Sequence, residues 1–495
     1  MKKITLIFLL LPLLSTAQWA QIGSDIDGEQ IADLSGTSIS LSSDGDVLAI
    51  GAPTNDGNGN DSGHVRVYKN VGVLWTQIGQ DIDGEMLGDS SGWSVSLSSD
   101  GSIVAVGATG SDGNGSNSGH VRVYENQMGT WVQIGQDIDG ESSGDYSGTS
   151  ISLSSDGTIV AIGANQNDGN GSNSGHVRVY ENQTGTWVQI GQDIDGESSS
   201  DYSGTSISLS SDGSIVAIGA HQNDGNGLSS GHVRVYENQT GTWVKVGADI
   251  DGESSSDWFG RSVSLNSDGS MIVIGAHGDD GSSETGYARV FENQSGSWIQ
   301  IGQDIEGEAQ YDSFGYSVCI NSDGSVVAIG GYENDGAGSE AGHVRIYENQ
   351  SGAWIQLGLD IDGEAEGDES GKAISLSADG SRVAISGHKN DGTGTWAGHV
   401  RVFNGSSLLS VEENSFGVNF SMYPNPSYGI SKVQLGDVYD KVEIKVLNQL
   451  GVLVDSLEYT NSSKLELNTQ RYSTGVYLIH IQSSEKKAII KLIVK

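Results

Sequence analysis

Carboxylate side chains recur in a fixed pattern, and they are the residues of this chain best suited to bind a metal ion. Four acidic positions hold Asp193, Asp195, Glu197 and Asp201 in one segment and Asp137, Asp139, Glu141 and Asp145 in the segment before it. In an extended chain alternate side chains share one side, so the first three carboxylates would point the same way. Carboxylate oxygens are the ligands that Ca²⁺ prefers. The pattern therefore predicts candidate calcium sites in these segments and in their equivalents elsewhere in the chain.

A second interpretation of the same acids stays open. Their spacing is not that of an EF-hand, and a solvated acidic rim would look the same in sequence. In that case some carboxylates would pair with arginines and others would cap turns. The chain carries a net charge of −40, which repels nucleic-acid phosphates and anionic lipid surfaces. We therefore expect no nucleic-acid partner, whichever interpretation holds.

Aromatic and histidine side chains provide a separate set of candidate ligand-binding residues. Tyr146, Tyr202 and Trp258 each follow the last acid of an acidic segment, and His221 and His277 each end an apolar run. Exposed rings beside carboxylates suit stacking on sugars together with hydrogen bonding to hydroxyls. The alternative is that the aromatic rings pack against the neighbouring module.

No catalytic motif stands out in the sequence. The chain has no Gly-x-Ser-x-Gly elbow, no His-Glu-x-x-His, no phosphate-binding loop and no cysteine nucleophile in a recognisable setting. Carboxylate pairs are so numerous that none is selected as an acid and base. We therefore expect a protein that is not an enzyme, with no catalytic residues and no cofactor other than Ca²⁺.

The elements that must position these residues belong to a repeat. Seven tryptophans recur every 55 or 56 residues: Trp19, Trp75, Trp131, Trp187, Trp243, Trp298 and Trp354. Within one copy, Ser150–Ser154 alternates polar and apolar residues, Ile159–Gly163 is an apolar run, and His176–Tyr180 alternates again. A short strand beginning at Trp187 completes four strands, here called A, B, C and D.

Seven copies of four antiparallel strands predict an all-β fold, a seven-bladed β-propeller. The first segment, 19–28, is a lone D strand, and the last copy lacks one, so the N-terminal strand should complete the last blade and close the ring. Propeller topology would place the D–A and B–C connections on one face. That face would carry 28 acids from the D–A segments and seven aspartates from the B–C loops, over half of the 64 acidic residues.

The repeats resemble the FG-GAP propeller repeats of integrin α chains and their bacterial relatives. The matching residues are Phe259-Gly260, Ile274-Gly275-Ala276, Phe314-Gly315 and Gly51-Ala52-Pro53. The integrin-like family often binds calcium in a long acidic A–B hairpin, whereas the A–B turns of this chain are short. The resemblance therefore supports the propeller and transfers no calcium site at those turns.

The C-terminal residues resemble the sorting domain of the type IX secretion pathway of Bacteroidota. The matching segments are 423–427, 442–448, 475–478 and 491–495. The alternating strands of this region independently predict a small immunoglobulin-like β-sandwich. The resemblance implies export through the type IX machinery as a partner and delivery outside the outer membrane.

These observations predict a domain organisation. Residues 1–17 form a signal peptide, with two lysines before an apolar run and small residues before the cleavage point. Residues 18–403 form the propeller, 404–418 a linker and 419–495 the sorting domain. No segment of the sequence is long and apolar enough to predict a transmembrane helix.

The resulting functional expectation is a secreted or cell-surface binding or adhesion protein. It would use the acidic face to bind a glycan or a surface protein, with calcium assisting. The alternatives are an exported polysaccharide-active enzyme with a site over the central channel, and a structural surface-layer protein. Repeated copies make the scaffold, so function should lie in a feature shared by all copies or where copies differ.

Overall fold

The computed structural model describes residues 19–278, 285–405, 413–414, 416, 420–424, 427, 429–448, 453–473, 475–483 and 486–494. The predicted signal peptide and most of the predicted linker lie outside the described residues. Contacts divide the chain into two compact units, one of which is Trp19–Gly405, while Ser406–Lys495 belongs to the other. Within the described part of the chain, no helix has the length and apolar character needed to span a membrane.

The first unit consists of seven antiparallel sheets, each a blade with strands in the order A, B, C, D. The A strands, from blade 1 to blade 7, are Ser38–Leu41, Ser91–Leu97, Ser150–Leu153, Ser206–Leu209, Ser262–Leu265, Phe314–Ile320 and Ser370–Leu376. The B strands are Val47–Ala52, Ile103–Ala108, Ile159–Ala164, Ile215–Ala220, Met271–Ala276, Val326–Gly331 and Arg382–Gly387. The C strands are His64–Val71, His120–Asn126, His176–Asn182, His232–Asn238, Tyr287–Asn293, His343–Gln350 and His399–Asn404.

Each D strand is interrupted, and both of its parts pair with strand C. The first parts are Leu74–Gln77, Trp131–Gln133, Trp187–Gln189, Trp243–Lys245, Trp298–Gln300, Ala353–Gln356 and, for blade 7, Ala20–Gln21. The second parts are Ile82–Asp83, Ile138–Asp139, Ile194–Asp195, Ile250–Asp251, Ile305–Glu306, Ile361–Asp362 and, for blade 7, Ile26–Asp27. The interruption directs the chain from the D strand of one blade towards the A strand of the next.

The burial of the strands follows the hydropathy pattern of the sequence. The B strand Val47–Ala52 is buried at every position, whereas the A strand Ser38–Leu41 alternates half-buried serines with buried Ile39 and Leu41. Each blade core includes apolar side chains from the adjacent blade, as Val106 and Trp131 of blade 2 pack with Val67 of blade 1. Blades therefore stabilise one another, as expected of a repeat protein.

The N-terminal segment closes the ring, as predicted. Ala20 pairs with Asn404 and Ile26 pairs with Val400, so the last blade takes its D strand from the start of the propeller. The seven-bladed propeller is thereby confirmed. Closure gives the last blade its D strand, so strand C of that blade is not left as an unpaired edge.

Two rings of hydrogen bonds connect successive blades. At the A–B turns, the N–H of Ser43 donates to the carbonyl of Ser99, and the series continues blade by blade until Ala378 donates back to Ser43. At the outer edge, each repeated tryptophan donates its indole N–H to a carbonyl of the preceding blade, as Trp131 does to Ile78 at 2.8 Å. The tryptophans are therefore both core residues and inter-blade hydrogen-bond donors.

The C-terminal unit is also all β. Its strands are Glu413–Asn414, Ser421–Tyr423, Ile430–Asn448, Leu453–Asn468, Gly475–Ser483 and Lys487–Val494, with a 3₁₀ turn at Thr469–Arg471. Five of these strands form one hydrogen-bonded path, and Leu453–Asn468 pairs with Ile430–Asn448 off that path. The long hairpin of the third and fourth strands shifts register between Gln434 and Tyr439, and residues from both of its halves enter one core. The sheet therefore folds over its own apolar side.

Candidate ligand-binding site

The D–A segments and the B–C loops lie side by side on one face of the propeller, here called the upper face. In blade 1, Asn58 of the B–C loop donates its side-chain N–H to the carbonyl of Gly84 in the D–A segment at 2.9 Å. Gly63 and Ser91 form a bridge between the same two connections. The topology therefore gathers the acidic positions on one face. Asp280, one of the predicted B–C aspartates, lies outside the described residues.

The glutamate of each D–A segment pairs with an arginine of the next blade. Arg234 lies 3.4 Å from Glu197, and its guanidinium also donates to the carbonyl of Asp195 at 2.8 Å. Arg178 contacts Glu141 and the carbonyl of Asp139 in the same way, at 3.7 and 2.7 Å. All seven C-strand arginines contact the equivalent glutamate. These arginines and glutamates therefore connect blades.

The fourth acid of each segment caps a turn. Asp201 is 3% exposed and accepts hydrogen bonds from the backbone N–H of Ser198 at 2.9 Å and from the side chain of Asn223 at 3.1 Å. Asp145 accepts the equivalent bonds from Ser142 and Asn167. A buried carboxylate with these donors is satisfied by the protein itself.

The remaining carboxylates approach the first histidine of strand C. Ligand atoms of Glu141, His176 and Asp193 lie within 4.8 Å of one another. The same holds for Glu197, His232 and Asp249, and for His120, Asp137 and Asp139. Burial, followed by the nearby Arg178, lowers the pKa of His176 to about 4, so this histidine is neutral near pH 7.

The four predicted calcium ligands of one segment are thus divided among three surroundings. Asp193 lies with His176, Glu197 with His232, and Asp201 is buried against Asn223. For the remaining acid, Asp195, burial and then the neighbouring Asp193 raise the pKa. Mixed carboxylate and imidazole groups fit Ca²⁺ less well than an all-oxygen set. Calcium binding stays a prediction, now of sites shared between neighbouring segments.

The predicted aromatic and histidine residues come together on the upper face. The ring centroids of Tyr202 and His221 are 6.0 Å apart, those of His221 and Trp258 are 5.4 Å apart, and those of Trp258 and His277 are 5.3 Å apart. The rings continue from His277 to Tyr316, at 5.0 Å. Four of the five predicted ligand-binding residues therefore form one continuous series across blades 4 and 5.

The series then reaches blade 6, where the rings of Tyr316 and Tyr332 are 4.6 Å apart. We call the six residues from Tyr202 to Tyr332 the aromatic arc: Tyr202, His221, Trp258, His277, Tyr316 and Tyr332. Tyr146, the fifth predicted residue, occupies the equivalent position in blade 3, and none of the described aromatic rings stacks on it. There Asn165 replaces the histidine and contacts Thr149 and Thr205 instead.

The backbone at the position of these aromatic residues does not require an aromatic side chain. Tyr146, Tyr202 and Trp258 have φ of 54°, 54° and 53°, in the left-handed region that non-glycine residues avoid. A residue held there costs about 1–3 kcal/mol. The equivalent residue in blades 2 and 6 is serine, so the turn does not need an aromatic side chain.

Sequence reasoning missed three residues at the start of the A strands. One position per blade holds Thr37, Trp93, Thr149, Thr205, Arg261, Tyr316 and Lys372. The preceding Gly260, at φ +86°, directs Arg261, and a Cβ on this glycine would lie 2.6 Å from the carbonyl of His232. The signal was the variation itself, because this position changes between copies that are otherwise nearly identical.

Arg261, Tyr316 and Lys372 line the upper part of the central channel. They border a cavity of about 290 Å³ that the A strands of all seven blades enclose. This volume is near the lower end of the range for small-molecule sites. The aromatic arc reaches the cavity at Tyr316. Blades 1, 3 and 4 contribute threonines to the same cavity. The two charged side chains and the tyrosine therefore all lie on one side of it.

Burial and positive charge keep the histidines of the arc neutral. The pKa of His221 is lowered to about 3, chiefly by burial and then by Arg261. Burial, together with Arg261, His221 and Lys372, lowers the pKa of His277 well below its usual value. One ring nitrogen of each, Nδ1 of His221 and Nε2 of His277, is buried without a hydrogen-bond partner among the described residues. The arc therefore contains uncharged, unsatisfied polar atoms.

The fold is a β-propeller built from repeated blades. The strands are alike in all blades, whereas the residues at the channel entrance differ from blade to blade. Residues 83–124, 138–180 and 248–291 match the family model described as FG-GAP repeat. Residues 421–495 match the family model described as secretion system C-terminal sorting domain. The chain therefore contains FG-GAP repeats and a type IX sorting tail, and this tail indicates export to the cell surface or the extracellular space.

The solved structures to which the chain is similar are distant from it in sequence. A putative 6-phosphogluconolactonase from Bacteroides uniformis is 10% identical, with a TM-score of 0.48 over 66% of this chain and 85% of its own. Sqt1 from Chaetomium thermophilum is 15% identical, with a TM-score of 0.45 over 78% and 99% of the two chains. An oligogalacturonate lyase from Vibrio parahaemolyticus is 10% identical, with a TM-score of 0.43 over 79% and 92%. No curated protein matches the chain in sequence.

Proposed function

We propose that this exported protein is a non-enzymatic binding protein of the cell surface, with its ligand site at the upper entrance of the central channel. One observation carries the proposal: the aromatic arc, which joins Tyr202, Trp258 and Tyr316 in one series on blades 4–6. The upper-face acids recur in every blade and contact arginines or turn N–H groups. The arc and the channel entrance differ between blades, as a specific site requires.

The chemistry of the arc favours carbohydrate as the ligand class. Aromatic faces stack on the apolar faces of sugar rings, and phenol, indole and imidazole groups can bond with sugar hydroxyls. Trp258 and Tyr202 are half-buried, so part of each ring remains accessible. Nδ1 of His221 and Nε2 of His277 are buried, so contact with the ligand falls to the half-buried rings of the arc.

The electrostatics of the arc favour a site that binds its ligand without catalysing a reaction. A general base works best when its pKa lies near the working pH. Burial lowers the pKa of His221 to about 3, which makes this imidazole a weak base. Tyr332 has its pKa raised, mainly by burial and then by Glu333, so its phenol stays protonated. These groups can hold a ligand, but their pKa values lie too far from the working pH for them to activate water.

Calcium assistance forms a second part of the proposal. The groups that would hold the ion are carboxylates of neighbouring D–A segments beside a C-strand histidine, as in Asp25, Glu364 and His399. An ion there would neutralise part of the negative charge around the channel entrance. This contribution is separable from the arc, because the two sets share no residue.

The proposal is tested by glycan-array binding of the full chain after signal removal, in calcium and in chelator. The informative variant is Trp258→Ser, since serine occupies this backbone position in blades 2 and 6. The matched control is Tyr146→Ser, the same type of change at the equivalent position of blade 3. Circular dichroism and thermal melting establish that both variants fold.

We expect wild-type protein and Tyr146→Ser to bind the same glycans, and Trp258→Ser to bind them about tenfold or more weakly, as for loss of a stacking aromatic. Absence of binding to every glycan in both conditions would overturn the carbohydrate proposal. Turnover of a bound glycan by wild-type protein would overturn the non-enzymatic assignment.

A further inference from the structure

The channel entrance holds two of the three lysines and arginines of the propeller that lie at ion-pair distance from no carboxylate among the described residues. Residues 19–405 include 13 lysines and arginines, and ten of them lie at ion-pair distance from a carboxylate. In the described part of the propeller, Lys69, Arg261 and Lys372 do not. In a chain with 64 acidic residues, two cations beside one cavity that have no carboxylate partner in the described part of the chain are a specific feature.

Arg261 and Lys372 are arranged around one tyrosine. The guanidinium of Arg261 donates to the hydroxyl of Tyr316 at 2.8 Å and lies 4.6 Å from the centre of its ring. The ammonium of Lys372 lies 4.1 Å from the Tyr316 ring centre and 3.7 Å from that of Tyr332. Cation–π contacts hold both charges in place without neutralising them. The two cations are therefore positioned and remain available to an anion.

Blades 1, 3 and 4 show that the scaffold does not require these charges. Thr37, Thr149 and Thr205 occupy the same position, and their blades form the same strands. The histidines nearest the cations, His221 and His277, are buried and neutral, so they add no charge to that of Arg261 and Lys372. A half-buried pair of like charges is unfavourable unless an opposite charge binds between them.

We propose that the channel entrance binds an acidic sugar, with its carboxylate or sulfate held by Arg261 and Lys372 and its ring against the aromatic arc. This inference rests on the proposed carbohydrate binding and specifies its ligand class. Arginine offers paired N–H donors to a carboxylate or sulfate, and lysine adds a point charge. The adjoining arc supplies the surface for the sugar ring.

The surrounding acids restrict which acidic sugars can bind. A long polyanion lying across the upper face would meet the carboxylates of the D–A segments, such as Glu253 and Asp249. A single anionic sugar, or one at the end of a chain, presents its charge only to the channel. Screening over about 8 Å at physiological salt shields that charge from the outer acids. The site therefore selects terminal rather than internal acidic units.

The test compares acidic and neutral sugars on one set of proteins. Isothermal titration calorimetry or the array measures glucuronate, galacturonate and a 6-sulfated hexose against their neutral parents, glucose and galactose. The informative variants are Arg261→Thr and Lys372→Thr, which introduce the residue of blades 1, 3 and 4. Lys69→Thr removes the third unpaired cation, which lies exposed on the C strand of blade 1, and serves as the charge control.

We expect at least one acidic sugar to bind at least tenfold more tightly than its neutral parent, as for a charge-assisted hydrogen bond. Arg261→Thr and Lys372→Thr should each remove most of that preference, and Lys69→Thr should keep it. Neutral sugars that bind as well as acidic ones, or variants that keep the preference, would overturn this inference and leave the proposed function standing. No binding of any sugar to wild-type protein would overturn both.

Discussion

The backbone N–H of Ala378 donates to the carbonyl of Ser43 at 2.8 Å, and this bond joins the last blade to the first. Six equivalent bonds link the A–B turns of the other neighbouring blades. Together they form a closed ring at the lower end of the channel. The channel entrance at the opposite end has a fixed width only because this ring, and the N-terminal strand at the outer edge, close the propeller.

Ring closure predicts that replacing the first tryptophan of the propeller lowers the stability of the fold strongly. Trp19 is 4% exposed, and its indole donates to the carbonyl of Leu357 at 2.9 Å, from the first residue of the propeller to its sixth blade. We expect Trp19→Ala to destabilise the propeller by about 3–5 kcal/mol in denaturant unfolding. Trp396→Ala, which removes an indole that is 52% exposed, should have little effect. Equal midpoints for the two variants would contradict ring closure by this segment.

The burial of the histidines predicts that the propeller loses stability at a pH well above the range in which carboxylates titrate. All nine propeller histidines have lowered pKa values, chiefly through burial. They are neutral in the fold and would protonate near pH 6.5 once unfolded, so unfolding takes up protons. Stability is therefore full above pH 6.5 and falls as pH drops towards 4, by up to about 1.4 kcal/mol per pH unit for each histidine.

Melting temperatures between pH 7.5 and 5 measure this effect. His232→Tyr should reduce the slope by one proton, because Tyr287 already occupies the same position in blade 5. Burial lowers the pKa of His232 to about 4, so its contribution to the slope extends from about pH 6.5 down to the acid end of this window. A melting temperature that stays constant from pH 7.5 to 5 would show that the histidines are not buried in neutral form.

Calcium binding predicts a stabilisation specific to that ion. Stabilisation follows RT ln(1 + [L]/Kd), so calcium at ten times Kd adds on the order of 1.4 kcal/mol per site. Melting in millimolar CaCl₂, compared with MgCl₂ at equal ionic strength, separates a calcium site from screening of the −40 net charge. We expect the higher midpoint in calcium. Identical midpoints in calcium, magnesium and chelator would rule out calcium sites of physiological strength.

The sorting tail predicts a localisation phenotype without loss of the propeller fold. The contacts place residues 421–495 in a separate unit from Trp19–Gly405. Deleting residues 421–495 should therefore leave a folded propeller that is retained inside the cell instead of exported. Cell fractionation measures this, with Trp258→Ser as the control that should be exported normally. Surface delivery of the truncated chain would contradict the role of the tail.

Much of the fold could be predicted from the sequence because the repeat fixes it. The tryptophan period gave the blade count, and the lone N-terminal D strand gave ring closure. The roles of the acidic residues were harder to predict from the sequence, because calcium binding, arginine pairing and turn capping all use carboxylate side chains. Glu197 and Asp201 lie four residues apart, yet one pairs with Arg234 and the other is buried against Asn223.

The channel residues were missed for a different physical reason. Arg261, Tyr316 and Lys372 are about 55 residues apart and meet only because three consecutive blades place their A strands around one cavity. Their position directly follows the glycine of each repeat, where the motif drew attention to Phe259-Gly260 and Phe314-Gly315. Variation at one repeat position was the available signal.

The number of ligands bound per chain tests the central claim most directly. Binding through features repeated in every blade would give about seven sites, whereas the aromatic arc and the channel cavity occur once. Calorimetric titration of the full chain with the best glycan from the array should give one ligand per chain, and Trp258→Ser should weaken binding at that site about tenfold or more. A stoichiometry near seven, or one site that Trp258→Ser leaves unchanged, would contradict a single ligand site at the channel entrance.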